Sequence, residues 1–459
     1  MAIAGMSDCA PLNAKLAHVD PGHPGYRLRR IDETQPPDPR DRIFVVVTLS
    51  GGGTRAAAFG YGALEALRDL TVPVDGRAVS LLSELDVISS VSGGSFAAAY
   101  YAAFGPEKFF SDFPKDVLHR HIETALAFKV LAPWNWPLLW SPYFSRSDLA
   151  ADYYERRIFG GKTFSELPER PLIVLNATDL TAGAPFPFLQ DSFDALCSNL
   201  DPFPVGSAVA SSSAFPVGFP PLTLRNWNAT DDCGYEPSKA IVNAIKGGPE
   251  ANAHDYERAT ERFSFTTPER RYLHLSDGGI SDNLGVRAVL AGLVSGVPDL
   301  PILQRVNGGR IDKLVVITVD AKPGVAIKKD HGRRAPTFLT VLSRAASAPM
   351  ANYSTDSVAW LQESIDTDAA FVLDAIAAGG VTLPHCFDYY GVHVQFENAP
   401  PEIKERLKHI GTRLELPKKD VALLIDEGRR QVGQSKELAR LLRDLKDPET
   451  FPCPSPPDE

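Results

Sequence analysis

Val87-Ile-Ser-Ser-Val-Ser92-Gly-Gly-Ser-Phe96 is an apolar run that empties into small residues and then into an alanine-rich segment. The run reads as a buried strand. Ser95 to Phe104 carries Ala97, Ala98, Ala99, Ala102 and Ala103, which let a helix pack closely on a sheet. Ser92 stands at the tip of the turn between them. A strand-to-helix turn of the form G-x-S-x-G holds a serine clear of its neighbours, with backbone amides free beside it, and so makes its hydroxyl a usable nucleophile. Here the pattern is Ser90-Val91-Ser92-Gly93-Gly94, with a serine where the first glycine would stand. Small-residue turns also occur without chemistry, so the flanking strands decide the reading.

Upstream, Ile43-Phe-Val-Val-Val-Thr-Leu49 is a continuous β-branched run, the mark of a strand buried on both faces of a parallel sheet. It empties into Ser50-Gly51-Gly52-Gly53-Thr54-Arg55. Ala56 to Leu70 then reads as a helix, followed by a connection through Pro73 and Gly76 and the strand that ends at Ser92. This is a βαβ unit with a glycine loop at one strand end and the serine turn at the other. Gly51-x-Gly53-x-x-Ala56 also fits a dinucleotide fingerprint, which calls for an acidic residue closing the next strand about twenty residues on. That strand ends instead in Ser90-Val91-Ser92. Tandem glycines point successive amides the same way, which suits a pyrophosphate or a tetrahedral oxyanion, and the loop alone leaves both open.

The third stretch is Tyr272-Leu-His-Leu-Ser-Asp277-Gly278-Gly279-Ile-Ser-Asp282-Asn283-Leu-Gly285. An alternating strand ends at Asp277, two glycines turn the chain, and Asp282 and Asn283 have the character of helix N-caps. Asp277 therefore occupies a strand end, from which a carboxylate reaches across to a neighbouring strand. Of the ten histidines, His274 lies nearest, but three positions separate it from Asp277 and residues share a strand face only at even spacing. It is expected to point away, as a packed or surface side chain.

Composition bounds the alternatives. The 459 residues carry 47 Lys+Arg against 57 Asp+Glu, a net charge of -10, so no global basic field invites nucleic acid and any contact with anionic lipid must be local. Five scattered cysteines show no C-x-x-C spacing and leave the redox compartment open. No apolar run reaches the length of a spanning helix, and residues 1–30 lack the apolar core of a secretory signal. Residues 1–40, rich in Pro, Gly and charge, read as an arm or linker. Leu131-Ala-Pro-Trp-Asn-Trp-Pro-Leu-Leu-Trp140 holds three of the five tryptophans and follows a cationic amphipathic segment at 107–130. It suits a lid, a membrane-surface contact or a buried aromatic cluster.

Leu172 to Leu180 reads as a strand, with Asn176 and Asp179 in capping or turn roles, and Ala208 to Pro221 as a small-residue helix breaking into a proline-rich turn. Residues 226–266 read as an irregular insertion, and Lys313 to Asp320 as one more buried strand. Helices are expected at Phe338 to Glu363, Pro401 to His409, Lys419 to Val432 and Lys436 to Leu445, a strand near Gly391 to Phe396, and a disordered tail from Asp447.

With the three stretches in order, the sequence resembles the patatin-like phospholipase family over roughly residues 43–325. The family's marks are a glycine-rich oxyanion loop, a G-x-S-x-G elbow and a D-G-[GA] aspartate, which stand here as Gly51-Gly52-Gly53-Thr54-Arg55, Ser90-Val91-Ser92-Gly93-Gly94 and Asp277-Gly278-Gly279. Ser50, Ala56 and Ser90 depart from the residues common in the family, and none of the three removes a group that performs chemistry. The resemblance implies an α/β fold, a three-layer patatin-like sandwich with a mostly parallel central sheet, here with a helical C-terminal extension. The expected division is an arm at 1–40, a catalytic domain at 41–325 and a mainly helical region at 326–459 packing on it.

The implied chemistry is hydrolysis of acyl esters of phospholipids or lysophospholipids by a Ser92–Asp277 dyad. Amides of Gly51, Gly52, Gly53 and Gly93 would form the oxyanion hole. Arg55 would either meet a substrate phosphate or hold the loop. No cofactor or metal is called for. The expected partners are a lipid substrate and a peripheral membrane surface, with no nucleic acid and the oligomeric state open. The alternative is a non-catalytic lipid-binding or regulatory member of the same family.

Overall fold

Eight strands form the central sheet: Ile43–Leu49 (β1), Leu85–Val91 (β2), Leu172–Asp179 (β3), Ala184–Pro187 (β4), Leu222–Arg225 (β5), Tyr272–Asp277 (β6), Lys313–Asp320 (β7) and Asp388–Gln395 (β8). The computed structural model describes residues 12–20, 25–27, 42–74, 77–141, 144–216, 218–231, 233–250, 253–287, 311–324 and 386–447. The strand order is β8-β7-β1-β2-β3-β6-β5, with β4 also paired to β3. From β8 to β3 every pairing is parallel, while β6, β5 and β4 run antiparallel to their neighbours. Side chains alternate faces along a strand, yet every residue of β1, β2, β3 and β7 is buried. Both faces of the sheet are therefore covered, which is the three-layer arrangement.

The crossovers supply the helices. Thr54–Asp69 (α1) joins the end of β1 toward β2, and Gly93–Phe113 (α2) leaves β2 toward β3, with a break at Gly105, whose positive φ precedes Pro106. The segment expected at 107–130 is divided, its second part being Ile122–Leu131 (α3). Then come Arg146–Tyr154 (α4) and Val205–Ser212 (α5). Residues 226–266 are not irregular, because Lys239–Gly247 (α6) and Ala253–Ser264 (α7) pack on one another there. Ile241 and Ile245 lie one turn apart on α6, a period diluted by the polar residues around them. Gly279–Asp282 (α8) is a single turn. Pro401–His409 (α9), Lys418–Gly433 (α10) and Lys436–Asp444 (α11) are the last helices described, within two residues of the bounds read from sequence. The helix expected at Phe338 to Glu363 and the tail beyond Asp447 lie outside the described residues.

The first and last described stretches are bound into this body. Ala14–Lys15 pairs with Ser198–Asn199, and the buried Tyr26 hydroxyl accepts the Ile173 amide of β3 at 2.8 Å. Arg27 bridges Asp191 and Asp194. A Cys197–Cys233 disulfide lies where Leu16 and Val19 donate to the Cys197 and Cys233 carbonyls. These parts of the expected arm are thus docked, since isolated anchors such as Tyr26 and Arg27 make no periodic pattern to read. At the other end, β8 is hydrogen-bonded along its length to β7, so the C-terminal region contributes to the sheet as well as packing on it. No helix among the described residues is long and apolar enough to cross a membrane.

α10 lies on α1 with the two backbones in contact. A Cβ at Gly62 would stand 2.1 Å from the Ile425 carbonyl oxygen, and one at Gly428 would stand 2.4 Å from that of Phe59. Backbone cannot yield as a side-chain tip can, so a methyl group forces the helices apart. Gly62→Ala is expected to lower the unfolding free energy by about 1–3 kcal/mol in urea denaturation. An unchanged midpoint would show that the crossing is looser than this geometry.

Candidate active site

β2 delivers Ser92 in a conformation that a non-glycine residue seldom adopts, with φ 50° and ψ -113°. The glycines after it are required by space. A Cβ at Gly93 would fall 2.1 Å from the Gly53 carbonyl oxygen, and one at Gly94 would fall 2.5 Å from that of Leu49. The strained turn is thereby wedged between the end of β1 and the glycine loop, which is how a costly backbone geometry persists. Ser90 stands where the first glycine of the pattern would be and is fully buried. Its buried hydroxyl lies 3.2 Å from that of Ser95.

Ser212, the last residue of α5, fixes the elbow from below. Its hydroxyl accepts the Ser92 amide at 2.9 Å, donates to the Asn176 carbonyl at 2.6 Å, and lies 2.9 Å from the Ser95 hydroxyl. Nothing in the sequence singled out this residue beyond its place in a run of three serines. Its neighbour in space, Asn176, is structural as expected, its side-chain amide donating to the Ser89 hydroxyl and the Ser90 carbonyl. Asp179 pairs with Arg270. Asp282 accepts from the Leu284 and Arg287 amides, but the turn it belongs to begins earlier, at Gly279. Asn283 serves through its carbonyl, which takes the Gly51 amide.

Asp277, at the end of β6, meets Ser92 across Asn176 and Ala177 of β3. The Ser92 hydroxyl donates to Asp277 Oδ2 at 2.9 Å, and the Gly279 amide donates to Oδ1 at 2.8 Å. The carboxyl is 3% exposed. Burial pushes its pKa up to about 6, against the opposing pull of the hydrogen bonds from Gly279 and Ser92. A carboxylate in this state holds a proton more readily than one in water. His274 is exposed and shares its hydrogen bond with Thr223, so it points away from the pair as the strand parity requires.

The glycine loop needs two corrections. The Gly51 amide is already donated to the Asn283 carbonyl at 2.9 Å, so it is not free to bind an oxyanion. The amides of Gly52, Gly53 and Gly93 carry no hydrogen bond among the described residues, and that of Gly93 opens α2, where the helix offers it no acceptor. Arg55 faces inward, with its guanidinium spent on backbone carbonyls. It is 1% exposed, and its guanidinium donates to the Ala321 carbonyl at 2.9 Å and the Ile410 carbonyl at 2.6 Å. Burial pulls its pKa down to about 10, partly offset by Asp320. An arginine after a glycine loop reads equally as phosphate ligand or brace from sequence, and only the position of residues 321 and 410 separates the two.

A second brace comes from the same C-terminal stretch. The Thr54 amide donates to the Arg413 carbonyl at 2.8 Å, and Gly53 pairs with Arg413 as an isolated parallel bridge. With φ +62° and Arg413 oxygen 2.3 Å from any Cβ, position 53 admits only glycine. The tryptophan segment is not a buried cluster, since Trp134 and Trp140 are among the most exposed large side chains described.

Comparison with known proteins decides the family. The family model described as patatin-like phospholipase matches residues 47–290, more than half of the chain. The chain belongs to the patatin-like phospholipase family. No curated protein matches. Among solved structures, the chain is similar to human GIVD cytosolic phospholipase A2 in complex with methyl gamma-linolenyl fluorophosphonate, at 11% identity and a TM-score of 0.41, covering 91% of this chain and 61% of that one. The chain thus spans about three fifths of the human protein's length. It is also similar to VipD from Legionella pneumophila, at 12% identity and a TM-score of 0.32, covering 88% and 67% of the two chains.

The raised pKa makes a stability statement. The native state binds the Asp277 proton more tightly than the unfolded chain, so this group's contribution is full below about pH 4 and is lost as pH rises through about 6. Asp277→Asn, neutral and of the same shape, is expected to be more stable than wild type at pH 7 by about 3 kcal/mol, with the difference closing toward pH 4. Thermal melts across that range check it, and a variant less stable at pH 7 would contradict the burial argument.

Proposed function

We propose that this patatin-like protein hydrolyses acyl esters of phospholipids or lysophospholipids at a lipid surface, with Ser92 as nucleophile and Asp277 as its base. The observation that carries the reading is the 2.9 Å hydrogen bond between a hydroxyl held in a strained turn and a buried carboxylate whose pKa is pushed up to about 6. A base is most useful when its pKa lies near the working pH, and a value near 6 leaves Asp277 ionised at neutrality yet more basic than an ordinary carboxylate.

Ser92 Oγ attacks the ester carbonyl carbon as its proton passes to Asp277 Oδ2. The carbonyl oxygen becomes an oxyanion within reach of the Gly52, Gly53 and Gly93 amides, each worth about 3 kcal/mol to the transition state. Collapse breaks the acyl carbon–oxygen bond, and the Asp277 proton passes to the leaving alkoxide. Water then attacks the acyl-serine, giving a proton to Asp277, and the fatty acid departs as Ser92 is reprotonated. The family assignment favours oxyanion binding over a pyrophosphate as the use of the glycine loop.

Ser92→Ala and Asp277→Asn are each expected to reduce turnover of a short acyl ester by about a thousandfold or more while leaving circular dichroism unchanged. A fluorophosphonate should label Ser92 and no other serine. In wild type the rate should rise with pH to a plateau above about 6, as Asp277 loses its proton. Retained turnover in either variant overturns the dyad. An unlabelled Ser92 would instead favour the non-catalytic lipid-binding alternative.

A further inference from the structure

We propose that α3 and the turns after it form the face by which the protein docks on a lipid bilayer, a step that rests on the hydrolase reading above. Six of the nine exposed large hydrophobic side chains among the described residues fall in one short stretch: Phe128, Leu131, Trp134, Trp136, Leu138 and Trp140. Trp134 and Trp140 are 78% and 80% exposed, and Phe128 is 70% exposed. The remaining three, Leu180, Phe263 and Tyr272, are scattered along the chain. Single exposed apolar residues need no explanation, but a contiguous aromatic patch marks a surface that something covers.

The patch is built and not frayed. α3 is held to the body through Ile122 and Leu126, which leaves Phe128 and Leu131 on its outer side. Asn135 donates its side-chain amide to the Lys129 carbonyl at 2.7 Å, and the Trp140 amide donates to the Trp136 carbonyl. The tryptophans are therefore presented by a closed turn. Outward-facing tryptophan and leucine, with Trp136 and Trp140 touching each other at 6.4 Å between ring centroids, is the chemistry of a bilayer interface, where an indole ring buries its apolar body and keeps its N–H wet.

Charge points the same way. From Thr124 to Ser145 the sequence holds no carboxylate, and its one charge is Lys129, followed by the exposed Arg146. Lys129 is paired with Asp152 at the base of the patch. In a chain of net charge -10, a stretch free of acid is where a phosphate-bearing surface is least repelled. The patch also shares its supports with the catalytic residues. Glu415 caps α3 by accepting the Thr124 amide at 2.6 Å, and it stands two residues beyond Arg413, whose carbonyl holds the glycine loop. On the far side the chain returns through α4, and the residue that caps its C-terminus, Glu155, lies so close to α5 that a Cβ at Gly206 would stand 2.6 Å from its amide. α5 ends at Ser212, beneath Ser92. The face is thus connected, contact by contact, to the elements that hold Ser92, so the occupant that fits is the lipid aggregate that holds the substrate.

The test uses the full chain carrying Ser92→Ala, which reads binding without turnover. It is mixed with phosphatidylcholine vesicles, with and without phosphatidylglycerol, and followed by co-sedimentation and tryptophan emission. Sedimentation with vesicles and a blue shift are expected, both stronger with the anionic lipid. Trp134→Ser combined with Trp140→Ser should weaken partition at least about tenfold, and Phe128→Ser with Leu131→Ser should do likewise, while Phe263→Ser changes nothing. Absence of vesicle binding overturns the proposal, as does partition untouched by both double variants. So does a lipid-independent dimer that the tryptophan variants dissolve, which would assign the face to a second copy. Failure to bind by a chain whose wild type hydrolyses esters rejects the docking face alone, whereas binding without esterase activity in wild type rejects the hydrolase reading alone.

Discussion

The hydrogen bond between Ser92 and Asp277 joins the ends of two strands that are not neighbours, for β3 lies between β2 and β6. Bridging a third strand makes demands on everything around it. Gly278 must lack a side chain because a Cβ there would sit 2.2 Å from the Asn176 carbonyl oxygen of β3. Thr178 on the same strand donates its hydroxyl to the Asp277 carbonyl at 2.8 Å, and the Asp277 and Gly278 amides donate to Ala214 and Ser212. The aspartate is thus fixed through its backbone from two sides, which leaves its carboxylate only the Gly279 amide and the Ser92 hydroxyl to face.

The burial that raises the Asp277 pKa is the same burial that penalises an unsatisfied hydroxyl, so the serines packed under the elbow need partners. Ser90, Ser95 and Ser212 meet that requirement as a chain of hydroxyls running under the elbow and ending on the Asn176 carbonyl. Serine at position 90 is consistent with this network, because a glycine there would leave the Ser95 hydroxyl with one neighbour fewer. The strain at Ser92 is held by packing that does not come from the elbow itself.

Residues far beyond the matched family region complete the site. The family model ends at residue 290, yet the glycine loop is held by the Arg413 carbonyl, and Arg55 is anchored on carbonyls at Ala321 and Ile410. α10 then locks α1, the helix the loop opens into, by backbone contact at Gly62 and Gly428. The C-terminal region is consequently part of the scaffold that shapes the end carrying Ser92 and Asp277, including the eighth strand of the sheet.

The local pattern of residues was enough to determine the strands of the parallel core, the strand-turn-helix at Ser92, the strand end at Asp277 and the outward direction of His274. Each of these depends on alternation, on small residues at a turn or on parity within a few positions, and such information lies along the chain. Tertiary structure alone decided that Gly51 donates its amide to Asn283, that Arg55 turns inward, that Ser212 holds the elbow, that Tyr26 and Arg27 dock an otherwise polar arm, and that Cys197 meets Cys233. Every one of those is a pairing between residues distant in sequence. A side chain's hydrogen-bonding capacity is written in its chemistry, but which partner satisfies it is set by where folding brings the backbone.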